Sequence, residues 1–284
     1  MDEFRHIVGL LFGWLGLISN GILLIVLCRT RVGWHRLNLQ MVWPLAVLDF
    51  AGSLLVVVRN VLYLILGNLS AGVWFCTYFG TPIIVLMPSS IIIVGVMAVD
   101  RYHIVVWRRG ISCVWGWGFV IISGMFLVTL VVVNTAMYGL HPSSTFAACR
   151  FVKNTITFMI FTHLTTLILL TGLLTVTLCY MGIYRHCHRT LAAFHTMPKR
   201  FLYILAAYLL CWLPTLICIV WELIAGQKAI PKFLKLSSSF GLLLHLLVNP
   251  CLIILFQASL RNEVYYLFTR NPTPSLNLNK HVFP

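Results

Sequence analysis

"VMAVDRYHIVVWRRG", Val96–Gly110, sets an acid, a base and a phenol directly after residues 60–99, which carry no charged side chain at all. A helix needs about 20 apolar residues to cross hydrocarbon, so this run is long enough to hold a complete crossing that ends where Asp100 and Arg101 begin. The rest of the chain repeats the pattern. Of 284 residues 60% are hydrophobic and only 9% charged, a composition outside the range of soluble domains and one that reads as a polytopic membrane protein.

Because charges are so sparse, they fence off the apolar segments by themselves. Seven segments are long enough to cross. The first lies between Arg5 and Arg29, and the second between Arg36 and about Leu66, interrupted by Asp49 and Arg59. The third runs from about Trp74 to Val106, the fourth from Ser112 to about Tyr138, and the fifth from near Asn154 to near Tyr184. Phe201 to Trp221 and about Leu234 to Phe256 complete the set. Each is expected to be helical, because backbone polar groups in lipid must be satisfied within the segment and the alternation of a membrane β-barrel is absent. The expected fold class is therefore all-α: a seven-transmembrane helix bundle. The tail "QASLRNEVYYLF" is apolar at Leu260, Val264, Leu267 and Phe268, which predicts a short amphipathic helix lying on the membrane surface.

Basic residues predict the orientation. With the N-terminus outside, thirteen lysines and arginines fall on the cytoplasmic side and six on the other, which favours N-out, C-in at the plasma membrane. The formal charge of +14 is then an orientation signal and an attraction to anionic membrane lipid, not a nucleic-acid footprint. The first helix is expected to act as its own signal anchor, since only five or six residues precede it. Asn68-Leu69-Ser70 is a glycosylation sequon in a loop that this orientation places outside. Of nine cysteines, Cys76 and Cys149 fall on the oxidising side and are expected to pair; the other seven fall in helices or on the reducing face.

Asp49, in "LAVLDF", sits mid-helix, where an ionisable group costs about 2.5 to 3.5 kcal/mol and should face polar partners or an ion inside the bundle. With Asp49 the chain resembles the rhodopsin-like, or class A, G protein-coupled receptors over nearly its whole length. The markers come in order: Asn20; Leu45, Ala46 and Asp49; Cys76, then Asp100-Arg101-Tyr102; Trp115 or Trp117; Tyr180; Cys211-Trp212-Leu213-Pro214; and Asn249-Pro250. The resemblance implies a receptor domain over 1–268 and a short cytoplasmic tail over 269–284. It also implies that Asp100, Arg101, Tyr102, Tyr180, Trp212, Pro214, Asn249 and Pro250 serve activation and coupling to a heterotrimeric G protein. By the same resemblance Asp49, Ser90 and Asn249 map onto an internal sodium site, although His245 and Leu246 stand where small polar residues are usual. Cys76 to Arg101 spans about 37 Å of helix at 1.5 Å per residue, enough to fix one end outside while the other reaches the cytoplasm. Pro214 permits a kink in the sixth helix beside Trp212.

The chain departs from the family pattern in three places. Gly172 replaces a proline of the fifth helix, and Ile253 replaces the tyrosine that follows Asn-Pro. The sixth helix begins "HTMPKR", with no acid to hold the arginine of the third, so Arg101 is expected to pair only with Asp100 and basal activity to be raised.

The expected ligand pocket is mainly apolar. The resemblance implies that it takes Ile83, Ile84 and Met87 from the third helix, Leu164 and Ile168 from the fifth, Trp212, Thr215, Leu216 and Ile219 from the sixth, and Ser239 and Leu243 from the seventh. Ile83 and Leu243 stand where amine receptors and opsins carry their aspartate and retinal lysine, so neither a biogenic amine nor retinal is expected. Arg59 is the one charge in the outer half of the second helix and suits a carboxylate or phosphate, with Lys228, Lys232 and Lys235 at the mouth. An anionic lipid or small acidic molecule is the first expectation and a peptide the second. Two rivals stand beside a signalling receptor. One is a decoy or partner receptor that binds without activating a G protein; the other is a transporter, which would show repeated halves or more intramembrane charges. No nucleophile–base pair or phosphate loop points to an enzyme.

Overall fold

The computed structural model describes residues 2–29, 37–66, 75–138, 140–142, 149–151, 156–190, 196–225 and 230–269. The sequon at Asn68 and Lys228 lie outside them, as does the tail from 270 onward. Seven helices among the described residues are long and apolar enough to cross a membrane, so the chain is a multi-pass membrane protein. In chain order the helices are α1 (Asp2–Arg29), α2 (Leu37–Leu66), α3 (Thr81–Trp107), α4 (Cys113–Tyr138), α5 (Ile156–Thr190), α6 (Thr196–Ala225) and α7 (Lys232–Phe256), followed by the short α8 (Ala258–Thr269). A π-helical turn, Cys76–Gly80, leads into α3.

The helices outrun their apolar fences: α5 continues to Thr190 and α6 begins at Thr196. Charged residues end the hydrocarbon crossing, but the backbone hydrogen-bond ladder continues into polar surroundings for as long as nothing breaks it. Pro198 falls in the first turn of α6, where its missing amide has no intrahelical partner to lose. Arg108, in the left-handed region at φ 56°, ends α3. Between α4 and α5 a short antiparallel pair, β1 (Leu140–Pro142) and β2 (Cys149–Phe151), sets Pro142 opposite Cys149.

α3 is the most buried of the seven helices and α4 the least, so α3 is the axis on which the others pack. Two close backbone approaches show how glycine sets the spacing. Gly241 of α7 lies against the Cys211 carbonyl of α6, and Gly182 of α5 lies against the ring of Tyr102. Trp117 rather than Trp115 packs into the bundle: its indole N–H donates to Gln40 Oε1 at 3.0 Å, while Trp115 is exposed. The main core is built from buried residues of six of the crossings, with α4 packing Cys113, Trp117 and Val120 against it, and a smaller cluster of Cys76, Leu127 and Val131 ties the start of α3 to α4.

Candidate functional site

Asp49, Ser90, His245 and Asn249 are all buried at the middle of the bundle and meet there. Asn249 is the hub. Its Nδ2 donates to Asp49 Oδ2 at 2.7 Å, and its Oδ1 accepts from the Tyr208 hydroxyl of α6 at 2.6 Å. Nδ2 also lies 3.0 Å from His245 Nε2, one turn earlier on α7, and Ser90 Oγ lies 2.8 Å from the same nitrogen. A carboxylate only accepts, so the amide is oriented with its NH2 toward Asp49 and His245. With the amide so placed, Nε2 is the acceptor nitrogen of a neutral imidazole, and the Nδ1 proton is left buried without a hydrogen-bond partner among the described residues. The His245 ring stands edge-on to Trp212 with centroids 4.9 Å apart. Asn20 Nδ2 donates to the carbonyls of Gly16 and Leu246, each at 2.9 Å, which fastens α1 to α7 beside the hub.

The sodium site expected from Asp49, Ser90 and Asn249 does not fit this arrangement. A hard cation asks for several oxygen ligands. Asn249 turns nitrogen, not oxygen, toward the carboxylate, and both Asn249 and Ser90 are engaged by the imidazole, whose Nε2 comes within 4.0 Å of Asp49 Oδ1.

At the Arg101 end the structure corrects the expected pair. Arg101 Nη1 donates to the Tyr180 hydroxyl of α5 at 3.2 Å, and no ion pair joins Arg101 to Asp100 among the described residues. Asp100 Oδ1 instead accepts from the backbone amide of Ile111 at 2.9 Å, pinning the turn that follows α3. A carboxylate one residue from Arg101 on a helix points about 100° away from it, so the two side chains are poor partners. Tyr102 packs its ring on Gly182 and so helps to hold α3 against α5. A cavity of about 30 Å³ lies between Arg101, Tyr180, Tyr208, Asn249 and Ile253, with room for about one water molecule. Ile253 leaves a space at the very place where Tyr180 and Tyr208 bring two phenols together. Tyr208 was missed in the sequence, because a helical tyrosine reads as a core or interface residue until its partner is known; His245 was noticed only as a poor substitute in the sodium shell, not as a hydrogen-bonding member of the hub.

Of the expected pocket residues, Met87, Trp212, Thr215, Leu216, Ser239 and Leu243 are buried, and Ile83 packs on the main core. Ile219 does the same, and Leu164 is half-buried. The Ser238 hydroxyl donates to Thr215 Oγ1 at 3.0 Å, joining α6 to α7. Ile84 and Ile168 turn away from this group and pack on the cluster of Cys76, Leu127 and Val131. Neighbouring residues on a helix point about 100° apart, so Ile83 and Ile84 cannot both face the bundle axis. Ile168 also lines a lateral cavity of about 560 Å³ between α3, α4 and α5, walled by side chains such as Ile92, Phe119 and Phe126 and by Gly172.

Arg59 is 6% exposed, and its Nε has no hydrogen-bond partner. It forms no ion pair among the described residues, Glu222 included. Gly52, two turns earlier, lies against Leu246 of α7. Seven residues advance a helix by nearly two full turns, so Arg59 shares that inward face. Asn60 and Tyr63 face α1 instead, where His6 hydrogen-bonds Asn60 Oδ1 at 2.7 Å and stacks on Tyr63 at 3.5 Å. Cys76 is disulfide-bonded, and seven of the nine cysteines are free, Cys149 being the one whose side chain lies outside the described residues.

Comparison with curated protein sequences gives no match. The family model described as "7 transmembrane receptor (rhodopsin family)" matches residues 19–253, a stretch that runs from just before Asn20 through the last turn of the Asn249-Pro250 motif. Seven crossings of the right length, the polar hub that joins α2, α3, α6 and α7, and this match over most of the sequence place the chain in the rhodopsin family of seven-transmembrane receptors.

Proposed function

We propose that this receptor answers an anionic ligand that enters at the Cys76 end, and that it activates a heterotrimeric G protein at the Arg101 end. The N-terminus lies outside and α8 on the cytoplasmic surface. The observation that carries the ligand class is the buried, unpartnered Arg59 Nε. Burying a charged group costs several kcal/mol unless a counter-charge or hydrogen bonds compensate, so a guanidinium held in this way is built for an acid supplied from outside the chain. Apolar Met87, Leu216 and Leu243 would take the remainder of such a ligand, which suits an anionic lipid better than a small hydrophilic acid. Lys232 is exposed at the same end and adds an attractive field.

The route for the signal is the chain of contacts from Trp212 to His245, Asn249 and Tyr208, and on through the small cavity to Tyr180 and Arg101. Pressure on Trp212 from above or movement of α6 about Pro214 would break the Tyr208–Asn249 bond and open the inner face, a population shift between two packings. Ile253, where the family pattern has a tyrosine, favours a non-signalling partner receptor; the Tyr208 phenol favours signalling, because it supplies α6 with a polar link to α7 that Ile253 cannot make. The pairing of Cys76 with Cys149 would fasten the outer loop over α3.

The test is guanine-nucleotide exchange on a panel of heterotrimeric G proteins, driven by lysophosphatidate, oleate or succinate and by neutral ester or amide counterparts. Acids alone should stimulate, and Arg59→Gln should raise the half-maximal concentration at least about 30-fold, as loss of a buried charge partner costs about 2 to 5 kcal/mol. Equal stimulation of Arg59→Gln, or stimulation only by neutral ligands, would overturn the ligand class.

A further inference from the structure

We infer that His245 takes the place of the internal cation, so that the balance between the two packings of this receptor is set by its own imidazole and not by sodium. The inference requires that the ring occupy the ion's position, that the groups an ion would use be committed to the ring, and that nothing nearby replace them.

On the first point, Nε2 stands within 2.8 Å of Ser90 Oγ, 3.0 Å of Asn249 Nδ2 and 4.0 Å of Asp49 Oδ1, which places it amid all three residues of the expected shell. The ring is 1% exposed and braced edge-on by Trp212, which holds it in this position. On the second point, the Asn249 amide cannot turn its oxygen inward, because that oxygen is taken by the Tyr208 hydroxyl and its NH2 by Asp49. Ser90 has a single proton to share between Nε2 and the Met87 carbonyl at 2.8 Å, and its oxygen faces a nitrogen where an ion would sit. On the third point, the side-chain oxygens left over among the described residues are those of Asp49 and the unpartnered Oδ1 of Asn20. A hard cation would have to complete its shell with water in the space the ring already fills, and so would have to displace a group far larger than itself. Leu246, the next residue, adds no ligand.

The imidazole does part of what an ion does. It bridges α3 to α7 through Ser90 and Asn249, and it passes the position of Trp212 to the Asn249 hub. The bridge is covalently anchored, so its occupancy does not depend on ion concentration, and helix movement must strain it rather than release it.

The experiment needs no ligand and uses the full chain, purified in detergent, with intrinsic tryptophan fluorescence to follow thermal unfolding and nucleotide exchange to follow basal activity. Sodium chloride is compared with N-methylglucamine chloride at equal ionic strength. Wild type should show the same midpoint and the same basal exchange in both salts. His245→Ser, which trades the ring for a small oxygen ligand, should acquire a sodium response. At three times the dissociation constant, an ion that binds only the resting packing multiplies that packing by about four, so basal exchange should fall about fourfold. Asp49→Asn in the His245→Ser background should abolish the response. A sodium-specific rise in the wild-type midpoint overturns the inference, as does a folded His245→Ser that ignores sodium, or a response that survives Asp49→Asn. His245→Asn serves if His245→Ser does not fold. Should no G protein respond at all, the unfolding comparison still decides this inference separately from the proposed signalling.

Discussion

Removing one oxygen atom tests the hub directly. Tyr208→Phe deletes the hydroxyl that donates to Asn249 Oδ1 at 2.6 Å and leaves the ring, which is 6% exposed in the core, in place. The loss is therefore one buried hydrogen bond with no cavity beyond an oxygen's volume. A buried acceptor left unsatisfied costs about 1 to 3 kcal/mol, and the small cavity beside it holds room for about one water that would recover part of that. A net cost of about 1 to 2 kcal/mol corresponds to a 5- to 30-fold change in the ratio of packings. Tyr208 and Asn249 sit on α6 and α7, so on the proposed signal route their hydrogen bond holds these two helices together in the resting packing. The variant should thus raise ligand-free nucleotide exchange about 5- to 30-fold toward saturation and lower the unfolding midpoint by about 2 to 8 °C. If the midpoint stays within about 1 °C and exchange within about twofold of wild type, the bond does not hold α6 and the proposed signal route fails.

Gly241→Ala would drive a methyl group into the Cys211 carbonyl across the α6–α7 interface, where backbone and not a flexible side chain must yield. Overpacking of about 1 to 3 kcal/mol should appear as lower surface expression and a lower midpoint, and normal values for both would show that α6 and α7 can separate freely. Asp100→Ala should be worse than Asp100→Asn for thermal stability, because the amide keeps an oxygen for the Ile111 N–H while alanine strands it, at about 1 kcal/mol. Equal severity of the two would instead identify Asp100 as the counter-charge of Arg101.

How far the site was legible depended on the range of the interaction. Charge spacing found all seven crossings, since the cost of burying a charge in lipid is paid residue by residue and needs no partner. Asp49, Ser90 and Asn249 were found through a resemblance in residue order, and the structure does bring them together. The Arg101 partner was misread: Asp100 was chosen for its adjacency in sequence, whereas helix geometry sends the two side chains in different directions and gives Arg101 to Tyr180, 79 residues on. Ile84 and Ile168 were misplaced for the same angular reason.

Composition and the order of motifs thus determined the class of fold, the crossings and the residues worth watching, because those follow from local transfer energies and helix length. Only the packed bundle decided who holds whom. His245 and Tyr208 acquire their roles from α2, α3 and α7 meeting α6 within hydrogen-bond distance, and a buried hydrogen bond depends on angles and a few tenths of an ångström, which no linear spacing encodes. Arg59 belongs to both halves: its charge was plain in the sequence, and its lack of a partner became visible only inside the folded bundle.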